Sequence, residues 1–144
     1  MKPKESSAAC AEHEVAAVLA RYTQALDHRT WLGAAALFLP DGVLAFGQDM
    51  IRGPHAIAAR MRADLSVYHG THHHVGLPRV ELDGDVAHVS ASCIGTHVRD
   101  PQDGATHTVV GGRYEAELRR TPEGWRINRM TPHYAWRSGP PLSH

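Results

Sequence analysis

The run VELDGDVAHVSASC, Val80 to Cys93, narrows most sharply what this chain can fold into. Asp83-Gly84 separates two segments whose apolar side chains alternate. An Asp-Gly pair readily adopts the positive φ angles of a two-residue turn, so a β-hairpin is expected here. Beyond the turn the alternation runs from Val86 to Val98 and sets Ala87, Val89, Ala91 and Cys93 on one face. A period of two places such a face on a core. The polar loop RDPQDGA closes that strand, and another is expected from Thr106 to Arg120. The TPEG turn, Thr121 to Gly124, then feeds a last strand from Trp125 to His133.

The first half of the chain changes period. From Ala11 to His28, the residues Val15, Val18, Leu19, Tyr22 and Leu26 form a stripe at helical spacing. A short helix from Thr30 to Leu39 carries Trp31 and Leu32, and the turn chemistry of LPDG ends it. Val43 to Phe46 reads as a short strand. Gly53-Pro54 opens a third helix in which Ile57, Met61 and Leu65 recur every four residues. Helices followed by a strand meander define an α+β domain. The expected architecture is a curved mixed or antiparallel sheet with the helices across one face, a cone enclosing a pocket. The domain is expected over residues 11–134, between a flexible lead at 1–10 and a flexible tail at 135–144.

A length of 144 residues suits one such domain. Lys+Arg and Asp+Glu both total 15, so no basic excess points to nucleic acid and no one-signed field would steer a charged partner. Cys10 and Cys93 do not make a disulfide framework and read as reduced thiols. MKPKESSAAC lacks the apolar core of a signal peptide, and no apolar run approaches the ~18 residues of a membrane span. A cytoplasmic protein is expected.

Chemistry concentrates in the triplet His72, His73 and His74. Successive strand side chains face opposite ways. Simple parity groups His72 and His74 with Val80 and Leu82, but a bulge or bend at Gly76-Leu77-Pro78 would reverse that grouping. His72 and His74 could together ligate zinc or copper. The candidates for a third ligand (His69, His97, His107, Asp27) make no recognised spacing, and no metal is expected. His97 shares parity with the apolar face of its strand and is a candidate pocket histidine. In the last strand Trp125 and Ile127 mark an inward face that Arg129, Thr131 and His133 share. Arg129 and His133 are therefore expected toward the pocket, unless the strand end emerges at a solvated rim. His13, His28, His55, His88, His107 and His144 read as structural or exposed. Asp27 sits near a helix C-terminus, where the dipole disfavours a carboxylate, which hints at another partner; its alternative role is in the turn at DHRT. Tyr22 is either core or a hydrogen-bond donor to a substrate oxygen.

The phrases YTQALDHRTWLGAAALFLPDGVLAFG, IRGPHAI, HHHVGLPRVELDGDVAHVSAS and GGRYEAELRRTPEGWRINRM occur in that order across most of the chain. In this the sequence resembles the nuclear transport factor 2-like superfamily, specifically its SnoaL-like and scytalone dehydratase-like branch. The resemblance implies that an Asp near the end of the first helix pairs with a His on the strand after the third, which places the pair on Asp27 and His73. Tyr22 matches a position that supplies a tyrosine or lysine to substrate. Many relatives carry Asn four residues after the His, where this chain has Leu77. The branch contains dehydratases, dehydrohalogenases, polyketide cyclases, isomerases and epoxide hydrolases, together with non-enzymatic binding modules, so the fold does not fix the activity. The expectation is a cofactor-free lyase, isomerase or cyclase. His73 is its general base, Asp27 orients it, and Tyr22 or Arg129 polarises the substrate. Arg129, His97, His133 and Trp31 are expected to contact a small hydrophobic substrate of polyketide, steroid or cyclic-halocarbon type. The resemblance also implies a homodimer without nucleic-acid or membrane partners. The alternative is a non-catalytic ligand-binding or accessory module.

Overall fold

A computed structural model of the chain describes residues 4–142, with side chains from residue 8 onward. The helices are α1 (Lys4–Asp27), α2 (Trp31–Ala35) and α3 (Pro54–Leu65). The strands are β1 (Phe38–Phe46), β2 (Asp49–Arg52), β3 (Gly70–Val75), β4 (Arg79–Asp83), β5 (Val86–Val98), β6 (Thr108–Thr121) and β7 (Gly124–Ser138). They form one curved, unclosed sheet in the order β2-β1-β7-β6-β5-β3, with β4 also paired to β5. β1 runs parallel to β7, and the other pairings are antiparallel. This is the expected α+β cone with a mixed sheet.

The helical stripe of α1 does what its spacing requires. Val15, Val18, Leu19, Tyr22 and Leu26 are all buried, in one cluster with Ala87, Val89, Leu118 and Ile127 from the sheet. α3 begins at Pro54 after Gly53, whose φ of 87° glycine accommodates without cost, and it buries Ile57 and Met61. The expected hairpin joins β4 to β5, but its turn is Gly84-Asp85, one place later than expected: Asp83 still pairs with Val86, and Gly84 takes the positive φ, 60°. No helix among the described residues is long and apolar enough to cross a membrane.

Five elements depart from the sequence expectations. α2 stops at Ala35, and LPDG is not a helix terminator: Leu39 to Gly42 bow out within β1, which pairs Phe38 with Ile127 and next Val43 with Arg129. The short hairpin strand β2 carries too few residues to show a period. α1 already runs through most of the expected lead. At the other end β7 reaches Ser138, and the carbonyls of Pro140 and Pro141 accept hydrogen bonds from Thr108 and Arg99, each at 2.6 Å. Residues 1–3 and 143–144, with His144 among them, lie outside the described residues.

Candidate active site

The triplet of histidines is sorted by one inserted residue. On β5, Gly95 pairs with His73 and Cys93 with Val75, whereas Val89 pairs with Val80 and Ala87 with Leu82. The Gly76-Leu77-Pro78 segment takes up the slip, and Leu77 is thrown out to 97% exposure. Parity therefore reverses across it. His73 turns inward with Val80 and Leu82, while His72 and His74 lie exposed on the outer face. The departure from the relatives' Asn thus falls on a solvent-facing loop position.

Asp27 is the last residue of α1, and α1 lies along β3. Its Oδ1 accepts from His73 Nδ1 at 2.7 Å and from the Thr71 hydroxyl at 3.1 Å, while Oδ2 accepts from the His73 backbone N–H at 2.8 Å. Burial pushes the Asp27 carboxyl up. The hydrogen bonds from the His73 ring and backbone, the His73 charge and the Thr71 hydroxyl outweigh it and hold the carboxyl below its ordinary range. A carboxylate on Nδ1 fixes the tautomer of the ring and leaves Nε2 as the nitrogen able to take a proton. The His73 side chain is 4% exposed.

His73 lines a cavity of about 80 Å³ under the helices. Leu26, Leu44, Met61 and Leu65 supply apolar wall, and all four tyrosines of the chain, Tyr22, Tyr68, Tyr114 and Tyr134, face it. The Tyr114 and Tyr134 side chains are hydrogen-bonded to each other, and Tyr22 meets Tyr114 edge-on at 6.1 Å. Burial first, then the neighbouring Tyr134, pushes the Tyr22 phenol up, so it stands in the cavity as a neutral donor. Among the described residues one Arg or Lys reaches the cavity, Arg60, and it is bound by Asp64 at 2.8 Å and Asp49 at 2.9 Å.

His97 is the second cavity histidine, 5.8 Å from the His73 ring and 5.0 Å from that of Tyr68. Gly95 makes room for both histidines, because a Cβ there would lie 3.3 Å from each ring. The Nδ1 of His97 is buried and has no hydrogen-bond partner among the described residues. Burial, and then the charge of His73, pull its pKa down from 6.5 to about 4. The unfolded chain binds this proton below the upper value and the folded chain only below the lower one. Acidification through that window therefore favours unfolding. The Asp27 contribution follows at lower pH, present above the ordinary carboxyl value and lost as pH falls through its depressed one. Denaturant midpoints measured above and within the His97 window are expected to drop with acid in the wild type and to drop less in His97→Gln. Equal drops would show that His97 is not the group responsible.

Other sequence assignments are corrected. Arg129 is exposed and His133 lies on the outer face, its ring 3.4 Å from Glu115. The cause is again one residue: Glu117 pairs with Arg129 but Leu118 with Ile127, so Asn128 is inserted and parity reverses after Ile127. Met130, Pro132 and Tyr134 take the inward places, and the last two line the cavity. Trp31 lies in a separate groove between α2 and α3 with Arg29 and His55. Thr71, Tyr68, Tyr114 and Tyr134 were not anticipated. The inward parity of Tyr114 with Ala116 and Leu118 was a signal that could have found it.

Residues 7–131 match the SnoaL-like domain. No curated protein matches the chain. Among solved structures, the chain is similar to an NTF2-like protein with a cystatin-like fold from Novosphingobium aromaticivorans, at 25% identity and a TM-score of 0.74, covering 89% of this chain and 84% of that one. It is similar to a candidate scytalone dehydratase from the same organism, at 16% identity and a TM-score of 0.80, covering 91% and 88%. A third is the hexachlorocyclohexane dehydrochlorinase LinA-type3 from Novosphingobium barchaimii, at 12% identity and a TM-score of 0.77, covering 93% and 90%.

Proposed function

The chain belongs to the SnoaL-like domain family, and from that premise we propose that it is a cofactor-independent lyase, isomerase or cyclase acting on a compact, uncharged, hydrophobic metabolite. The observation that carries this reading is the Asp27–His73 contact at 2.7 Å beside a largely apolar cavity that His73 lines. A solvated histidine and a capping aspartate would have favoured a binding module instead.

In the proposed reaction His73 Nε2 removes an acidic C–H proton, usually alpha to a carbonyl. Asp27 stabilises the imidazolium that results. The Tyr22 hydroxyl donates to the substrate oxygen on which negative charge develops, inside a site of low dielectric. Loss of a leaving group then gives an alkene, reprotonation elsewhere gives an isomer, and attack on an internal carbonyl gives a ring. Arg129 has no part in these steps. The substrate is uncharged because Arg60 is already matched by two carboxylates, so among the described residues a bound anion would meet no unpaired Arg or Lys on the cavity wall. It is compact because the cavity is small. Similarity to a dehydrochlorinase and a candidate scytalone dehydratase supports ring compounds with a hydroxyl or halide to eliminate. The same proposal includes a homodimer.

Incubation with compact cyclic β-hydroxy ketones and ring halocarbons is expected to release water or halide. Tight binding of such compounds, with no product formed by the wild type, would favour the ligand-binding alternative.

A further inference from the structure

Arg29 has a φ of 60°, the one positive value outside glycine among the described residues. It stands just past α1. The Thr30 N–H reaches the Ala25 carbonyl at 3.0 Å and the Arg29 N–H reaches that of Leu26 at 3.1 Å, the paired bonds that close a helix through a left-handed residue. Glycine suits this position and a side chain there is disfavoured. What the arginine adds is a long-range bond: its guanidinium donates to the backbone carbonyl of Tyr68.

That bond joins the two segments that make the site. Asp27 lies two positions before Arg29, and Tyr68 leads directly into β3, the strand of Thr71 and His73. The next residue, His69, starts the pairing with β5 by donating to Val98 at 2.8 Å. The Tyr68 ring rests on His97 on one side and lies 5.1 Å from the Arg99 guanidinium. Arg29 itself is not among the residues of the cavity wall and opens onto the groove of Trp31 and His55.

We propose that Arg29 is a positioning residue, a strut that fixes the end of α1 against the start of β3 and so holds Asp27 in contact with His73. Its functional consequence rests on the general-base reading above. Its structural claim does not, and is tested without a substrate. In Arg29→Gly the helix terminator is retained, because glycine suits the backbone angle, while the strut is removed.

The test is NMR on the full chain, following the Asp27 carboxyl titration and the His73 Nδ1–H resonance. In Arg29→Gly the Asp27 midpoint is expected to rise by about half a unit or more, as the bonds that hold the carboxyl down loosen. The His73 Nδ1–H signal is expected to broaden. Arg29→Lys is expected to restore both in part. A folded Arg29→Gly protein with a lower melting temperature but unchanged Asp27 titration and His73 signal would overturn the proposal, since a merely structural tie has that result. Should the glycine variant not fold, Arg29→Gln is judged by the same two signals. Because neither readout needs turnover, failure to find an activity and failure of the strut are separate results.

Discussion

Replacing His73 with alanine is expected to lower kcat/KM on the true substrate by about 10²–10⁴-fold, the contribution of one positioned general base. The loss should be specific. His73 is inward, ring-bonded to Asp27 and on the cavity wall, whereas His72 and His74 point to solvent on the same strand. His72→Ala and His74→Ala are therefore expected to keep wild-type turnover. Asp27→Asn should approach the His73→Ala loss, because the amide cannot accept both bonds from His73 with the carboxylate's charge, and the imidazolium loses its counter-ion. Steady-state kinetics on the four variants checks this. Equal losses in His73→Ala and His74→Ala would mean that neither ring is the base.

The second large effect falls on the twin glycines of VGGRY. The pairing of β6 with β7 steps between them: Gly111 opposes Trp136, and Gly112 opposes Tyr134, with Ala135 left over. That extra residue drives the partner strand against β6. A Cβ on Gly112 would lie 1.8 Å from the His133 carbonyl oxygen, and one on Gly111 would lie 2.1 Å from the Trp136 ring. The two obstacles differ in kind. The carbonyl is backbone in the middle of a sheet, so Gly112→Ala must spread the strands, and it is expected to destabilise by about 3 kcal/mol, the upper end for overpacking. The indole is half-exposed and can swing away, so Gly111→Ala should cost about 1 kcal/mol. Denaturant midpoints decide the order. A larger loss at Gly111 would contradict the register described for this end of the sheet.

Much of the fold was legible because it is written in local periods. The stripe of Val15 to Leu26 and the hairpin around Gly84 each contain their own instruction, and the structure follows both, with the turn one residue later than the Asp-Gly pair implied. Asp27 and His73 came from resemblance rather than from period; the visible Gly76-Leu77-Pro78 break is what made an inward His73 compatible with the strand. What could not be read is register. An inserted residue flips every later side chain, and the insertion is set by the neighbouring strand. Asn128 carries no glycine or proline to announce it, so extrapolating the inward face from Trp125 and Ile127 misplaced Arg129 and His133 and hid Tyr134. The bow at Leu39 to Gly42 has strong turn residues, and they read as a helix stop because nothing local shows that β7 lies alongside. The strut at Arg29 was invisible for a similar reason: its partner is a backbone carbonyl far along the chain.

The central claim is that His73, held by Asp27, takes a proton from carbon. It is tested most directly by solvent-deuterium incorporation at the acidic C–H of compact cyclic ketones, followed by NMR with wild type, His73→Ala and Asp27→Asn. The account predicts exchange catalysed by the wild type, lost in His73→Ala and strongly reduced in Asp27→Asn. Exchange that persists undiminished in His73→Ala would contradict it.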